Sequence, residues 1–335
     1  MTALRADRLD YDDPLELVED YHRRGWTDGL PIVPPTPAAV ERFLDAAGLA
    51  PGDVLGTVPT REVVVTAEHA AINAVMAGCL PDYMPVVAAA VRAHLHEKGN
   101  CHSTTGTLSG ASQLVIINGP VRNDIGVACT AGCFGPGFRA NATIGRALRL
   151  VIRNVCRSVP GFLDRATFST PARYSFCFGE DEEGSPWLPL HVERGLPPGS
   201  SAVTVHSVMY MVSSPDYVSR TAEGVLDSLA RTLRRQGTAG DKWLGDGTNV
   251  VVVMGPEHRR YLVDAGWSKA DARAYLWPLL TAPQQPGEGR VKLGHPEGLL
   301  LVAAGGPGMA ETWVMFPHLA WAITEPVTER MERRP

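Results

Sequence analysis

The chain has no surplus of positive charge. Its 31 Lys and Arg against 36 Asp and Glu leave a formal net charge of −5, which argues against nucleic acid as the main partner. No apolar run approaches the length needed to span a bilayer. Residues 1–20 offer no leader: Asp7, Asp10, Asp12, Asp13, Glu16, Glu19 and Asp20 crowd the place where a signal peptide has its apolar core. Cysteine is sparse, 6 in 335 residues. Without close paired spacing along the chain, that count points to a reducing cytoplasm. The Rossmann fingerprint, the Walker loop and the His-Glu-x-x-His motif are also missing, which removes several common enzyme classes. These absences leave a cytoplasmic protein whose partner is a small molecule, with no nucleic acid and no membrane, and with homo-oligomer formation left open.

Glycine and proline are plentiful, 34 and 27. A chain of this kind spends much of its length in shaped loops, as loop-built sites do. At 44% hydrophobic and 20% charged, its composition is that of an ordinary globular protein with one large domain or two. The most informative stretch is an apolar run over 114–117 that stops at Asn118-Gly119-Pro120. A glycine loop with two thiols follows, Cys129-Thr130-Ala131-Gly132-Cys133-Phe134-Gly135-Pro136-Gly137, and then a helix over 140–155. Strand, glycine loop and helix start are how α/β proteins build small-molecule sites. The loop lets backbone N–H groups approach a ligand, and the helix N-terminus favours negative charge.

The remaining pattern reads as follows. An amphipathic helix over 8–24 stops at Gly25. The prolines of 26–36 fix extended backbone, and Thr36 caps a helix over 37–47. A strand over 60–66 precedes helices over 67–78 and 84–98. Strands are expected over 112–117, 173–178 and 201–211, and a helix over 222–236. The run Val250-Val251-Val252-Val253-Met254-Gly255-Pro256 echoes 114–120, each after a helix and a polar loop. A third apolar strand over 299–304 ends at Gly305-Gly306-Pro307-Gly308. The expectation is an α/β fold of repeated strand–Gly-Pro turn–helix units in one or two mixed sheets, behind a proline-rich arm. The plainer account is that Gly-Pro often ends strands. The chain divides into 1–60 as a helical and proline-rich arm, 61–200 as the site-bearing α/β half, and 201–335 as a second α/β half.

The catalytic candidates begin with Cys129 and Cys133. One thiol is a nucleophile or redox centre if the following helix start and Arg139 lower its pKa. As a pair they are metal ligands, although the three-residue gap is not that of zinc ribbons. As packing residues they fill a tight loop. In the loop 101–106, Cys101, Thr104 and Thr105 face an anionic or carbonyl ligand, or simply cap a helix. Arg139, Asn141 and Thr143 open the long helix, where Arg139 would clamp a carboxylate or phosphate. Arg146, Arg149 and Arg153 on that helix read as solvated or structurally paired. Among the acids Glu180-Asp181-Glu182-Glu183, Glu180 at a strand end is a candidate general base, and otherwise the run is a solvated loop. Trp187 and His191 wall a pocket, and His258 starts a helix in neutral form. Lys269 is a base, a phosphate ligand or an exposed helix start. Asn118 and Asp28 join the substrate-binding candidates, with Trp26 expected to be buried beside Asp28.

Several blocks resemble a known family. They are Gly25-Trp26-Thr27-Asp28-Gly29-Leu30-Pro31-Ile32-Val33-Pro34-Pro35-Thr36, Asn73-Ala74-Val75-Met76-Ala77-Gly78-Cys79, Asn118-Gly119-Pro120, and the long Gly135-Pro136-Gly137-Phe138-Arg139-Ala140-Asn141-Ala142-Thr143-Ile144-Gly145-Arg146-Ala147. Ser185-Pro186-Trp187 with His191-Val192-Glu193-Arg194-Gly195, and Gly255-Pro256-Glu257-His258 with Ala265-Gly266-Trp267-Ser268-Lys269, complete the set. Together they resemble the larger bacterial UGSC-family selenoprotein-like proteins, whose activity is largely uncharacterised. The resemblance implies a shared fold more firmly than a shared reaction. The chain lacks the Cys/Sec-Gly-Ser-Cys tetrapeptide that names the family, so the redox chemistry presumed for it is not carried over. It also has Cys129 and Cys133 where the relatives have small polar or apolar residues, which implies a specialised activity.

The leading expectation is a lyase- or hydrolase-type enzyme on a small polar, anionic metabolite, with a Cys nucleophile or acid/base and no cofactor required. The alternatives are a thiol oxidoreductase cycling Cys129 and Cys133, a Cys/His metal-dependent enzyme, and a non-catalytic metabolite-binding module. No metal ligand set is singled out. The loops 101–106 and 129–137 are expected to share one pocket.

Overall fold

A computed structural model describes residues 3–236, 248–283, 285–289 and 293–328. The polar loop expected ahead of Val250 lies, over 237–247, outside the described residues.

The arm carries α1 (Pro14–Arg23) and α2 (Pro37–Ala47). Asp13 accepts from the Leu15 N–H and Thr36 from that of Ala39. Each helix has proline in its first turn, where the missing donor costs nothing. The cap at Asp13 is why the first helix starts later than its amphipathic pattern does. A small antiparallel pair, β1 (Val54–Val58) and β2 (Val63–Thr66), leads into α3 (Ala67–Ala77) and α4 (Met84–Leu95). The segment read as a loop at 101–106 is mostly a short helix, α5 (Cys101–Thr105), capped by the Asn100 side chain.

Then come β3 (Ser112–Asn118), the short α6 (Val121–Asp124), the long α7 (Arg139–Asn154), β4 (Cys177–Gly179), the short α8 (Leu190–Glu193) and β5 (Ala202–Pro215). The second half contains α9 (Ala222–Gln236), β6 (Val250–Met254), α10 (Pro256–Asp264), α11 (Lys269–Thr281), β7 (Leu299–Ala303), β8 (Glu311–Pro317) and β9 (Ile323–Pro326). The strand expected over 173–178 shrinks to β4, because residues 171–173 form a 3-10 turn. Strands β8 and β9 had no sequence expectation.

Seven strands form one mixed sheet in the order β4-β3-β5-β8-β6-β7, with β9 on β5. The topology repeats. Strand β4 is parallel to β3, and β5 lies antiparallel on the other side of β3. Likewise β7 is parallel to β6, and β8 lies antiparallel on the other side of β6. The echo between 114–120 and 250–256 thus falls on the first strand of each unit. The units interlock because the second half of β5 pairs with β8 while its first half also pairs with β9. The third Gly-Pro turn, at 306–307, leads to strand β8 and not to a helix.

Burial explains the continuous apolar runs. Val115 and Ile117 pack on the helices of the first half, while Leu114 and Ile116 face a central cluster. Val250, Val252 and Met254 pack on the helices of the second half, while Val251 and Val253 join that same central cluster. Both first strands are therefore covered on both faces, as near-continuous hydrophobic runs require. Each such side chain contributes roughly 1.5–3 kcal/mol by burial. Among the described residues no helix is long and apolar enough to cross a membrane.

Candidate active site

The two parallel pairs meet at their C-terminal ends. The Asp181 N–H, just past β4, donates to the Ala303 carbonyl at the end of β7 (2.7 Å). The Gly305 N–H donates to the Cys129 carbonyl (2.9 Å), and the Gly179 N–H to that of Ala128 (3.0 Å). The thiol loop therefore bridges the two units. A cavity of about 270 Å³ opens here, lined by Gly132, Cys133 and Phe134 on one side and by Gly305, Glu311 and Trp313 on another.

Asn141, near the start of α7, gives the loop its shape. Its Oδ1 accepts from the Ala128 N–H (2.9 Å), and its Nδ2 donates to the carbonyls of Ala128 (3.0 Å) and Cys133 (3.2 Å). A buried amide that satisfies both ends of a loop positions it more firmly than apolar contact does. Gly306 permits the close approach from the other unit. A Cβ there would lie 2.5 Å from the Cβ of Ala131.

Burial sets the electrostatics of the thiols. Cys133 is pushed up to about 11 by burial. Cys129 is also raised by burial, against the nearby Arg122 guanidinium, whose Nη1 lies 3.9 Å from Sγ. The expectation of a reactive thiol held as thiolate near neutral pH does not describe either cysteine here. Both are protonated at neutral pH, which suits proton donation better than direct nucleophilic attack.

Beside the thiols lies a buried polar chain. Asn118 Nδ2 donates to Glu180 Oε2 (2.7 Å) and to Glu182 Oε1 (2.9 Å). Glu180 also takes the Leu190 N–H (2.6 Å) and Lys269 Nζ (3.0 Å). Lys269 reaches Glu193 as well (3.2 Å). Asp181 pairs with Arg259 (2.9 Å), and Glu183 with Arg122 (2.9 Å). The acid run is therefore not a solvated loop: Glu180 and Asp181 are buried, and only Glu183 is largely exposed. Lys269 is not an exposed helix start but is 3% exposed. Asn118 Oδ1 and both ring nitrogens of His191 are buried without a hydrogen-bond partner, and burial lowers the pKa of His191.

The other sequence candidates lie elsewhere. Cys101, Thr104 and Thr105 sit at the opposite end of β3, seven residues of strand and about 20 Å away. The loops 101–106 and 129–137 accordingly do not converge: one precedes the strand and the other follows it. Thr104 Oγ1 donates to the Asn100 carbonyl (2.9 Å), and Thr105 Oγ1 accepts from Arg61 Nη2 (2.9 Å). Cys101 is buried against Cys156, whose hydrogen bond holds its pKa down.

Arg139 is exposed and donates to the Gly78 carbonyl (3.0 Å), and Thr143 Oγ1 donates to the Arg139 carbonyl (2.8 Å). Asp28 is held by Arg146 through two contacts of 2.8 Å. Trp26 is 38% exposed, not buried; its ring has only partial cover, edge-on against Tyr21 and under the Arg24 guanidinium. Trp187 is in the second-half core with Nε1 on the Trp267 carbonyl (2.9 Å). His258 is buried, accepting from Thr312 Oγ1 at Nδ1 (2.9 Å) and donating from Nε2 to the Asp216 carbonyl (3.1 Å).

Sequence reading missed Arg122, Arg259, Gly305 and Gly306 as parts of this site. The signal for the glycines was present in the third Gly-Pro turn. The arginines had none, because their partners are 61 and 78 residues away. Among the described residues no group of three or more His, Cys, Asp or Glu is placed to hold a metal. Comparison of the chain with family models, with curated proteins and with solved structures finds no match.

Proposed function

We propose that the chain is an enzyme acting on a small polar molecule at the mouth between its two sheet units. Its chemistry is of lyase or hydrolase type, with Cys133 as the proton-transferring thiol. The observation that carries this reading is the joint itself: the loop that follows β3, with the Cys129 carbonyl on the Gly305 N–H and Cys133 in the lining, meets the end of β6 and the turn after β7 around a cavity. Open α/β sheets bind ligands outside the carboxyl ends of their strands. The raised pKa of Cys133 favours a thiol acid over a thiolate nucleophile. Glu180, held by Lys269 and Asn118, is positioned behind the site and does not line the cavity.

The cavity lining contains one carboxylate, Glu311, and no Lys or Arg. The nearest arginines, Arg122 and Arg259, are already paired with acids. That favours a weakly charged substrate at this cavity over the anionic one expected from sequence. The resemblance to the UGSC-family proteins is compatible with this reading through the shared glycine loop and Asn118-Gly119-Pro120.

A second reading, a thiol oxidoreductase, has one observation in its favour. Cys129 and Cys133 are close enough to affect each other's ionisation. Solvent deuterium exchange separates the two. The protein is incubated in D₂O with a panel of small keto and hydroxy amides and esters, and C–H signals are followed by NMR. With Glu311, the carboxylate of the lining, taking the C–H proton and the solvent-deuterated Cys133 thiol returning a deuteron, the reading predicts exchange that Cys133→Ser abolishes. Exchange that is unchanged in Cys133→Ser overturns the role of the thiol. A mass loss of two hydrogens that is restored by reductant moves the assignment to the disulfide.

A further inference from the structure

A second pocket lies at the opposite end of β3 and carries the reverse charge pattern. Its volume is about 700 Å³, and four arginines, Arg149, Arg153, Arg165 and Arg173, line it with two aspartates, Asp28 and Asp164. Both carboxylates are already engaged. Asp28 holds Arg146, and Asp164 holds Arg173 (2.6 Å). Among the described residues Arg149, Arg153 and Arg165 form no ion pair.

Arg149 is the decisive residue. It projects from α7 and is 8% exposed. Its guanidinium donates only to neutral acceptors, the Arg173 carbonyl (3.1 Å) and Gln113 Oε1. Of the two sequence readings of this side chain, solvated or structurally paired, the first is therefore excluded, and the partners it has are neutral. A buried cation with no ion-pair partner of its own is costly; Asp164 acts on Arg149 from a distance, but Arg173, the stronger influence, and Arg153 are cations too. Burial, and then Arg173, push Arg149 down to about 9, so it is still charged at neutral pH. Arg153 donates to the Gly25 carbonyl (3.1 Å) and Arg165 to that of Phe162 (3.3 Å). Arg173 Nε is buried with no hydrogen-bond partner at all.

These groups belong to separate elements held in register. The loop carrying Arg165 is tied to the segment before β3 by Arg165 N–H to the Thr107 carbonyl (3.3 Å) and Thr167 N–H to that of Leu108 (3.0 Å). Ser158 Oγ donates to the Thr105 carbonyl (2.8 Å). The pocket is thus a built cavity with guanidinium groups on its walls, in a chain whose net charge is −5. Phe168, 94% exposed, stands on its lining.

We propose that this pocket binds a small organic polyanion through Arg149, Arg153, Arg165 and Arg173, the recognised group being a phosphate or a pair of carboxylates. Guanidinium forks match both geometrically, and a dianion supplies the ion-pair partner that Arg149, Arg153 and Arg165 lack, while Arg173, already on Asp164, still has an unpartnered Nε. The cavity has room for more than a bare oxyanion, and the exposed Phe168 offers an apolar surface for the remainder of the ligand.

Calorimetric titration of the full chain tests this, at constant ionic strength, with sodium pyrophosphate and separately with succinate. Saturable binding of either anion is expected, weakened about tenfold or more in Arg153→Gln/Arg165→Gln. That variant alters one partly exposed and one exposed side chain, and circular dichroism checks its fold. Tighter binding of pyrophosphate assigns a phosphate-bearing ligand, and tighter binding of succinate a dicarboxylate. Cys133→Ser leaves the affinity unchanged, which separates this pocket from the thiol site. Heats matched by sodium chloride alone, or equal affinity in the double variant, overturn the proposal.

Discussion

Arg259 of α10 and Asp181 beyond β4 form an ion pair across the joint between the two sheet units, 2.9 Å long with side chains 5% and 11% exposed. The same guanidinium donates to the Gly184 carbonyl (2.9 Å), and Asp181 Oδ1 accepts the Gly184 N–H (3.1 Å). One charge pair thus fixes the turn after β4 against the second unit.

Arg259→Met leaves the Asp181 carboxylate buried and unpaired. Such losses cost about 3–5 kcal/mol, whereas removing both charges costs far less. Urea unfolding of Arg259→Met, Asp181→Asn and the double variant measures this. A single-variant loss under about 1 kcal/mol means the pair does not hold the joint.

Gly306→Ala places a Cβ against the backbone of Ala131, 2.6 Å from its Cα. Backbone cannot rotate away as a side chain does, so the thiol loop must move. The expected outcome is a folded protein in which iodoacetamide labels Cys133 several-fold faster than in the parent, as burial is lost. Unchanged labelling would falsify the close contact between the two loops.

In the parent, Cys129 reacts first, because it is the half-exposed thiol of the six. Cys133 follows slowly at neutral pH. Its rate rises about tenfold per pH unit toward its pKa near 11, since only the thiolate reacts. Cys79, buried and raised to about 12, stays inert until the chain unfolds. Peptide mapping after timed alkylation reads all three, and rapid labelling of Cys133 at pH 7 contradicts the burial argument.

Acid stability carries a defined sign. Burial lowers His206 from 6.5 to about 4, while its Nε2–H donates to the Asn249 carbonyl. Between those values the unfolded chain takes a proton that the folded chain refuses. Stability is therefore full above pH 6.5 and falls as pH drops toward 4, by on the order of 3 kcal/mol. Glu183 adds a smaller loss below that window. Its hydrogen bond from Arg122 holds it at about 2, so that contribution fades as pH falls from 4.5 toward 2. Denaturation midpoints from pH 8 to 3 should show the first decline, and His206→Gln should reduce it, the remainder coming from His69, His191 and His318, which burial also lowers.

Local chemistry made many elements legible. Thr36 with Pro37, and Gly48 in the left-handed region, mark both ends of α2. Thr66 caps α3 and Gly78 ends it. The runs at β3, β6 and β7 stand out because each strand is buried on both faces. Gly119 is required where β3 turns: its φ is +81°, and a Cβ would meet the Ser200 carbonyl oxygen at 2.1 Å. The glycine loop, its two thiols and Asn118 were also readable as a group, since they lie within one strand–loop–helix unit.

What the sequence determined by itself is what depends on neighbours along the chain: caps, turns, apolar strands and the α/β class. Tertiary structure alone decided which loops meet. The direction of β3 sends Thr104 to one end and Cys133 to the other. Whether Arg149 was solvated or Lys269 exposed had no local signal, because burial is conferred by distant segments. The Lys269–Glu180 pair spans 89 residues and the Arg259–Asp181 pair 78. A charge is recognisable from its own residue, but its ion-pair partner, or the lack of one at Arg149, is fixed only when remote strands and helices close around it.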